Sequence, residues 1–172
     1  TLIRPPLRII SMATPVAESI MSTKAHGTTE APVQSTLRWG CDTETADRIC
    51  CFNRHYAEHS GYFMTAARAS FAKELMASPD DEPMNFYDSV TGKLLFVAPR
   101  GRTKAAFLAE SKAHGWPSFR DAEVASPDVC VLPNGETVSR AGTHLGHNLP
   151  DGKGNRYCIN LVCVAGAAED ES

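Results

Sequence analysis

The stretch Asn155-Arg156-Tyr157-Cys158-Ile159-Asn160-Leu161-Val162-Cys163-Val164-Ala165 constrains the fold more than any other. It is rich in β-branched and aromatic residues and meets no breaker before Gly166, so it reads as one strand. Side chains alternate along a strand. Tyr157, Ile159, Leu161 and Cys163 therefore share one face, and Cys158, Asn160, Val162 and Val164 the other. This sets Cys158 beside an amide, with Arg156 close by. A neighbouring arginine lowers a thiol pKa and favours the thiolate that nucleophilic chemistry needs. A lone cysteine in an apolar strand is more often a buried core residue, so the rest of the chain has to decide.

Upstream, the pattern is one of short strands and short helices. Leu37 to Gly61 mixes aromatic, histidine and thiol residues and is expected to wrap the core, with Phe52 and Tyr56 packed inward. Thr65 to Met76 reads as a helix, because Phe63, Ala67, Phe71 and Leu75 fall four apart and Thr65 can cap it. Asn85 to Ala98 reads as a hairpin turning at Thr91-Gly92. Arg100 and Arg102 lie in a basic loop, expected to be solvated. Thr103 caps a second helix that ends at His114, with Gly115 just past it. Val129 to Leu132 and Glu136 to Ser139 flank Pro133-Asn134-Gly135 as a second hairpin. Many short antiparallel strands with peripheral helices make a mainly β protein.

Residues 1–36 are rich in Ser, Thr, Pro and Ala without periodicity and are expected to be disordered or extended. Arg4 and Arg8 precede the first acid, Glu18, a basic and hydroxyl-rich composition that fits an organelle transit peptide. Chloroplast, mitochondrion and cytoplasm are the expected locations, and secretion is not. Residues 37–166 form the expected domain, and 167–172 an acidic, solvated tail. The net charge of −3 gives no argument for nucleic acid. No apolar run reaches the length of a membrane span. The six cysteines show neither a repeated C-x-x-C nor a secreted disulfide framework, so a reducing compartment is expected.

Three blocks stand together in the C-terminal half: Gly115-Trp116-Pro117-Ser118-Phe119, Thr143-His144-Leu145-Gly146-His147, and Arg156-Tyr157-Cys158-Ile159-Asn160. In that order they resemble the B-type methionine sulfoxide reductases, which reduce the R epimer of methionine sulfoxide. The resemblance covers Gly115 to Asn160 closely and weakens towards Phe52. It implies two antiparallel sheets splayed like a tent. It implies that Cys158 attacks the sulfoxide and becomes a sulfenic acid, that Trp116 holds the substrate methyl group with Phe119 nearby, and that His144, His147 and Asn160 surround the sulfoxide oxygen. It places Arg156 beside the catalytic strand and Glu136 near the position of an active-site acid. Substrate is then methionine sulfoxide, free or in oxidised protein, and no cofactor is bound; the electrons come from a thioredoxin-type protein or a small thiol.

Departures from the family pattern are informative. Many members hold zinc with two C-x-x-C pairs, but the matching positions are Asp88 with Thr91 and Val138 with Ala141. No zinc is expected there. The resemblance leaves the return of Cys158 to the thiol open. Along an extended strand Cys163 would lie ~16 Å from Cys158 and on the other face, beyond the ~7 Å that a disulfide allows between Cα atoms. Cys41, Cys50, Cys51 and Cys130 remain as possible resolving thiols, with Cys50 or Cys51 ahead of Cys130. Two other readings stand beside the enzyme: a metal held by Cys158, His144 and His147, and a reductase-derived structural subunit of a larger, organellar assembly that holds the N-terminal segment.

Overall fold

The two expected hairpins frame the protein. In a computed structural model, which describes residues 12–65 and 70–169, the chain forms eight strands in two sheets with three short α-helices outside them. β1 is Thr14–Pro15, β2 Met84–Tyr87, β3 Leu94–Ala98 and β4 Ser118–Phe119. β5 is Val129–Val131, β6 Glu136–Ser139, β7 His144–Asn148 and β8 Tyr157–Ile159. β2 and β3 pair antiparallel as a small sheet. The larger sheet has the order β1-β5-β6-β7-β8-β4, with β1 parallel to β5 and every other pair antiparallel. The mainly β expectation with peripheral helices is met.

Aromatic residues fill the space between the sheets. Phe119 lies at the centre, stacked on Phe96 at 4.2 Å and edge-on to Phe86 at 4.9 Å. Phe86, Phe96, Phe107 and Phe119 are all fully buried. α3, Lys104–His114, starts where the Thr103 hydroxyl accepts the N–H of Ala106 and stops at Gly115, whose φ of 92° suits glycine. It buries Phe107 against this cluster.

The C-terminal strand is shorter than its composition implies. β8 ends at Ile159, and Leu161–Cys163 coils into a 3-10 turn. The reason is a buried acid from far away: Glu58 accepts the N–H groups of Leu161 at 2.7 Å and Val162 at 3.1 Å. These bonds take the place of a strand ladder. The extended spacing used for Cys163 therefore does not apply. Cys163 is fully buried, with its sulfur 3.1 Å from that of Cys50.

Four further expectations can be set beside the structure, and those for Phe52, Tyr56 and Arg102 need correction. The described part of the first segment, residues 12–36, is packed, with a 3-10 turn at Glu18–Met21 between extended stretches: Ala13, Met21, Thr29 and Val33 are buried, and β1 adds an edge to the sheet. Residues 1–11 lie outside the described residues. Phe52 and Tyr56 are exposed rather than packed inward, because α1, Thr43–Asp47, runs on into a π turn over Arg48–Phe52 that turns Ile49, Cys50 and Cys51 to the core instead. The helix expected over 65–76 is α2, Ser70–Met76, with Phe71 and Leu75 buried; Tyr62–Met64 is a separate 3-10 turn, and residues 66–69 lie outside the described residues. Arg102 is not solvated. It binds the buried Glu123, Glu110 and the carbonyl of Ser118, and so ties α3 to β4. At the other end, Ala167 exchanges two hydrogen bonds with the Gln34 side chain, and the N–H of Glu169 donates to Gly92; residues 170–172 lie outside the described residues.

Candidate active site

Register places the site. In β8, Cys158 is paired with Ser118 of β4 on one side and His147 of β7 on the other, and His147 is paired in turn with Glu136 of β6. Directly opposed residues project to the same face, so a serine, a cysteine, a histidine and a glutamate form one row across the sheet. β7 and β8 are very close at this point. A Cβ on Gly146 would lie 2.0 Å from the carbonyl oxygen of Cys158, so the His-Leu-Gly-His block has glycine where no side chain fits.

Above this row is a cleft of about 420 Å³. Its floor and sides are Cys158, His147, His144, Asn160 and Trp116, and the segment 54–57 forms the facing wall. Cys158 is half-buried, whereas the other five cysteines are buried. The Trp116 indole N–H donates to the carbonyl of Glu58 at 3.1 Å, which leaves the apolar ring to line the cleft. Asn160 is held at both ends of its amide: Nδ2 donates to Leu145 at 3.0 Å, and Oδ1 accepts the N–H of Glu58 at 3.1 Å.

The two histidines are in different electrostatic settings. His144 Nδ1 lies 2.7 Å from Glu136 Oε2, and both side chains are buried. Glu136 also receives two nitrogens of Arg54, which reaches on to Glu18 at 2.6 Å. Burial pushes the Glu136 carboxyl up, but its hydrogen bonds with His144 and Arg54 outweigh that and hold it at about 2. An ionised Glu136 fixes the ring orientation of His144. His147, among the described residues, has no carboxylate hydrogen-bonded to it, and its burial is only partly offset by the attraction of Glu136. Partial burial, and then the nearby His144, keep it below the usual imidazole range, so it is neutral at pH 7 and can accept a proton.

Burial raises the Cys158 thiol above its usual value, and Arg156 pulls in the opposite direction. Burial wins, so the resting group is a thiol. Arg156 is itself buried, and its Nε and Nη1 have no hydrogen-bond partner among the described residues; Asp151 Oδ2 is 3.9 Å from Nε. A guanidinium with unused donors beside a sulfur is arranged to stabilise negative charge on that sulfur when it forms.

Of the residues expected from sequence, Cys158, His144, His147, Asn160 and Trp116 meet in the cleft. Glu136 and Arg156 stand behind them. Phe119 does not reach the cleft: it pairs with Tyr157 rather than Cys158, so alternation turns it into the aromatic core. The proposed resolving thiols are also away from it. Cys50 and Cys51 are buried in the π turn, and Cys130 packs with Met21, Leu132 and Val138 in a second small core. At the zinc-matching positions, Asp88 is buried and accepts the Thr143 hydroxyl at 3.0 Å, while Val138 is fully buried. Sequence reasoning missed Arg54 and Glu58, which hold the site from the opposite end of the chain. Their partners are 82 and 102–104 residues away, and no local pattern marks them.

Fold and cleft together define a cysteine-centred site on an antiparallel sheet. The chain is similar over about a third of its length to curated proteins named peptide methionine sulfoxide reductase MsrB. It is 38% identical to that of Pseudomonas putida over 73 residues, covering 35% of this chain and 56% of the relative. Against that of Methanosarcina mazei it is 39% identical over 70 residues, covering 34% and 49%. Against that of Methanosarcina barkeri it is 41% identical over 69 residues, covering 33% and 47%. The chain thus spans about half the length of the curated relatives it matches. No family profile matches it, and no solved structure matches it.

Proposed function

We propose that the chain is a thiol-dependent reductase of methionine sulfoxide, selective for the R epimer, free or within oxidised protein. The observation that carries this reading is the convergence of Cys158, Trp116, His144, His147 and Asn160 in one open cleft, together with the likeness to proteins named for that reaction. The sulfoxide methyl group packs on the Trp116 ring, since sulfur-bearing groups associate well with aromatic faces. His147, neutral and opposite Cys158, takes the thiol proton. The thiolate, supported by Arg156, attacks the sulfoxide sulfur. The oxygen receives protons through the histidines and passes to Cys158, so that thiol plus sulfoxide gives sulfenic acid plus methionine. Two external thiols then restore the enzyme and yield one water and one disulfide. Cys50, Cys51 and Cys130 take no part, because all three are buried away from the cleft; the reductant, a small thiol or a thioredoxin-type protein, acts on Cys158 directly.

The test is turnover of each epimer with dithiothreitol. Reduction of the R epimer that is lost in Cys158→Ser and kept in Cys163→Ser supports the reading. Absence of turnover of either epimer by the intact chain sinks it and leaves a structural subunit of a larger assembly.

A further inference from the structure

The segment before Leu37 builds a second cluster, away from the cleft. Among the described residues, one group has the donor set of a metal site: His26, Asp47 and Cys51, whose ligand atoms all lie within 4.8 Å of one another. His26 Nε2 is 2.9 Å from Asp47 Oδ2. Asp47 and Cys51 are four residues apart across the junction of α1 and the π turn, the spacing that puts two side chains on one helical face. The loop presenting His26 is fixed from both sides. The N–H of His26 donates to Thr29 and that of Thr28 to Cys51, and Gly27, at φ 64°, lies where a Cβ would be 1.9 Å from the Cys51 carbonyl oxygen. The Thr29 hydroxyl donates to the Cys51 sulfur at 3.2 Å. A hydrogen bond of this kind steadies a thiolate ligand.

We propose that His26, Asp47 and Cys51 form a zinc site that ties the N-terminal segment to α1. One nitrogen, one carboxylate and one thiolate suit Zn²⁺, and bonds of about 2.0–2.3 Å bring tetrahedral ligand atoms to within about 3.3–3.7 Å of each other. The observed separations, all within 4.8 Å, lie near this range. His26 and Asp47 are about a quarter exposed, 28% and 26%, so an ion can enter and water can fill the fourth position. Burial pushes the Cys51 thiol up to about 12, against the pull of Thr29. The metal must therefore displace its proton, and binding near pH 7 releases one proton from Cys51. Cys51 is followed three residues later by Arg54, which begins the facing wall of the cleft, so the ion would brace that wall. The site is separate from Asp88, Thr91, Val138 and Ala141 and does not depend on the proposed reductase activity.

Co²⁺ reports thiolate coordination by a near-ultraviolet charge-transfer band. The full chain carrying Cys158→Ser, which removes the thiol of the cleft, should bind one equivalent of Co²⁺ with that band, and Zn²⁺ should displace it. Adding Cys51→Ser should abolish the band while the far-ultraviolet circular dichroism is kept. His26→Ala, at a position about a quarter exposed, should weaken binding at least tenfold and provides the readout where Cys51→Ser disturbs folding. No band in the Cys158→Ser chain, or a band that persists in Cys51→Ser or is undiminished in His26→Ala, overturns the proposal.

Discussion

The cleft is built from two unlike regions. Its floor belongs to the sheet formed by β4 and β5 to β8, where backbone register decides which side chains meet. Its wall belongs to the segment 12–58, which has few paired strands and is held by side chains: Lys24 to the carbonyls of Ile20, Ser22 and Thr28, Arg54 to Glu18 and Glu136, and Glu58 to Leu161 and Val162. In the sheet, position follows from local alternation. In the wrap, position follows from single polar contacts, and those of Glu58 to Leu161 and Val162 span 103 and 104 residues. Changes on the cleft face of the sheet should therefore alter chemistry, and changes in the wrap should alter stability and the shape of the wall.

The largest expected effect is on the cleft face. His147→Asn should lower kcat/KM by about 10²–10⁴-fold, the usual range for a general acid–base group, with little change in Tm. A loss below tenfold would remove His147 from the chemistry. The same proton transfer predicts a plateau of activity that falls on the acid side, as His147 becomes charged below the usual imidazole range. A rate that instead climbs tenfold per pH unit to above 9 would mean that a free Cys158 thiolate is required.

One strand away, the two faces can be set against each other. Phe119→Ala should cost about 3–5 kcal/mol of stability, as for other buried phenylalanines, and leave KM unchanged in the folded fraction. Trp116→Ala should raise KM and cost less stability, because the ring is only partly buried. Denaturant melts and steady-state kinetics on both variants read the contrast directly, and a KM effect from Phe119 equal to that from Trp116 would break it.

In the wrap, Glu58→Gln keeps the shape and removes the charge that holds two N–H groups. It should cost about 1–3 kcal/mol, seen as a lower denaturant midpoint, and should act on Cys158 through Asn160, through Trp116 and by removing a nearby carboxylate that raises its pKa. A last effect, confined to acid, is the response of the Arg54–Glu136–His144 chain. Glu136 falls from the usual 4.5 to about 2 on folding. Its contribution is fully present above 4.5 and is lost as pH falls from 4.5 towards 2. Stability curves against pH should flatten over that window in Glu136→Gln; an unchanged slope would mean that Glu136 does not carry it.

The contrast also explains what could be read from the sequence. The hairpins, the capped helix over Lys104–His114 and the five cleft residues from Trp116 to Asn160 are encoded by alternation, turn residues and short blocks. Each is a local property, and each lies where register carries it to the site. The end of β8 was not legible, because it is fixed by Glu58. The packing of residues 12–36 was not legible either, since a polar segment without periodicity gives no sign that Arg54 and Asp47 receive it. Phe119 was misplaced for a different reason: its block marks the site, but the residue beside a site residue on a strand faces away from it.

The central claim is that Cys158 reduces methionine sulfoxide in a cleft selective for one epimer. Turnover of separated R and S methionine sulfoxide with dithiothreitol, by the intact chain and by Cys158→Ser, tests it most directly. Reduction of the R epimer alone, falling to background in Cys158→Ser, is expected. Equal turnover of both epimers, or activity that survives in Cys158→Ser, would contradict it.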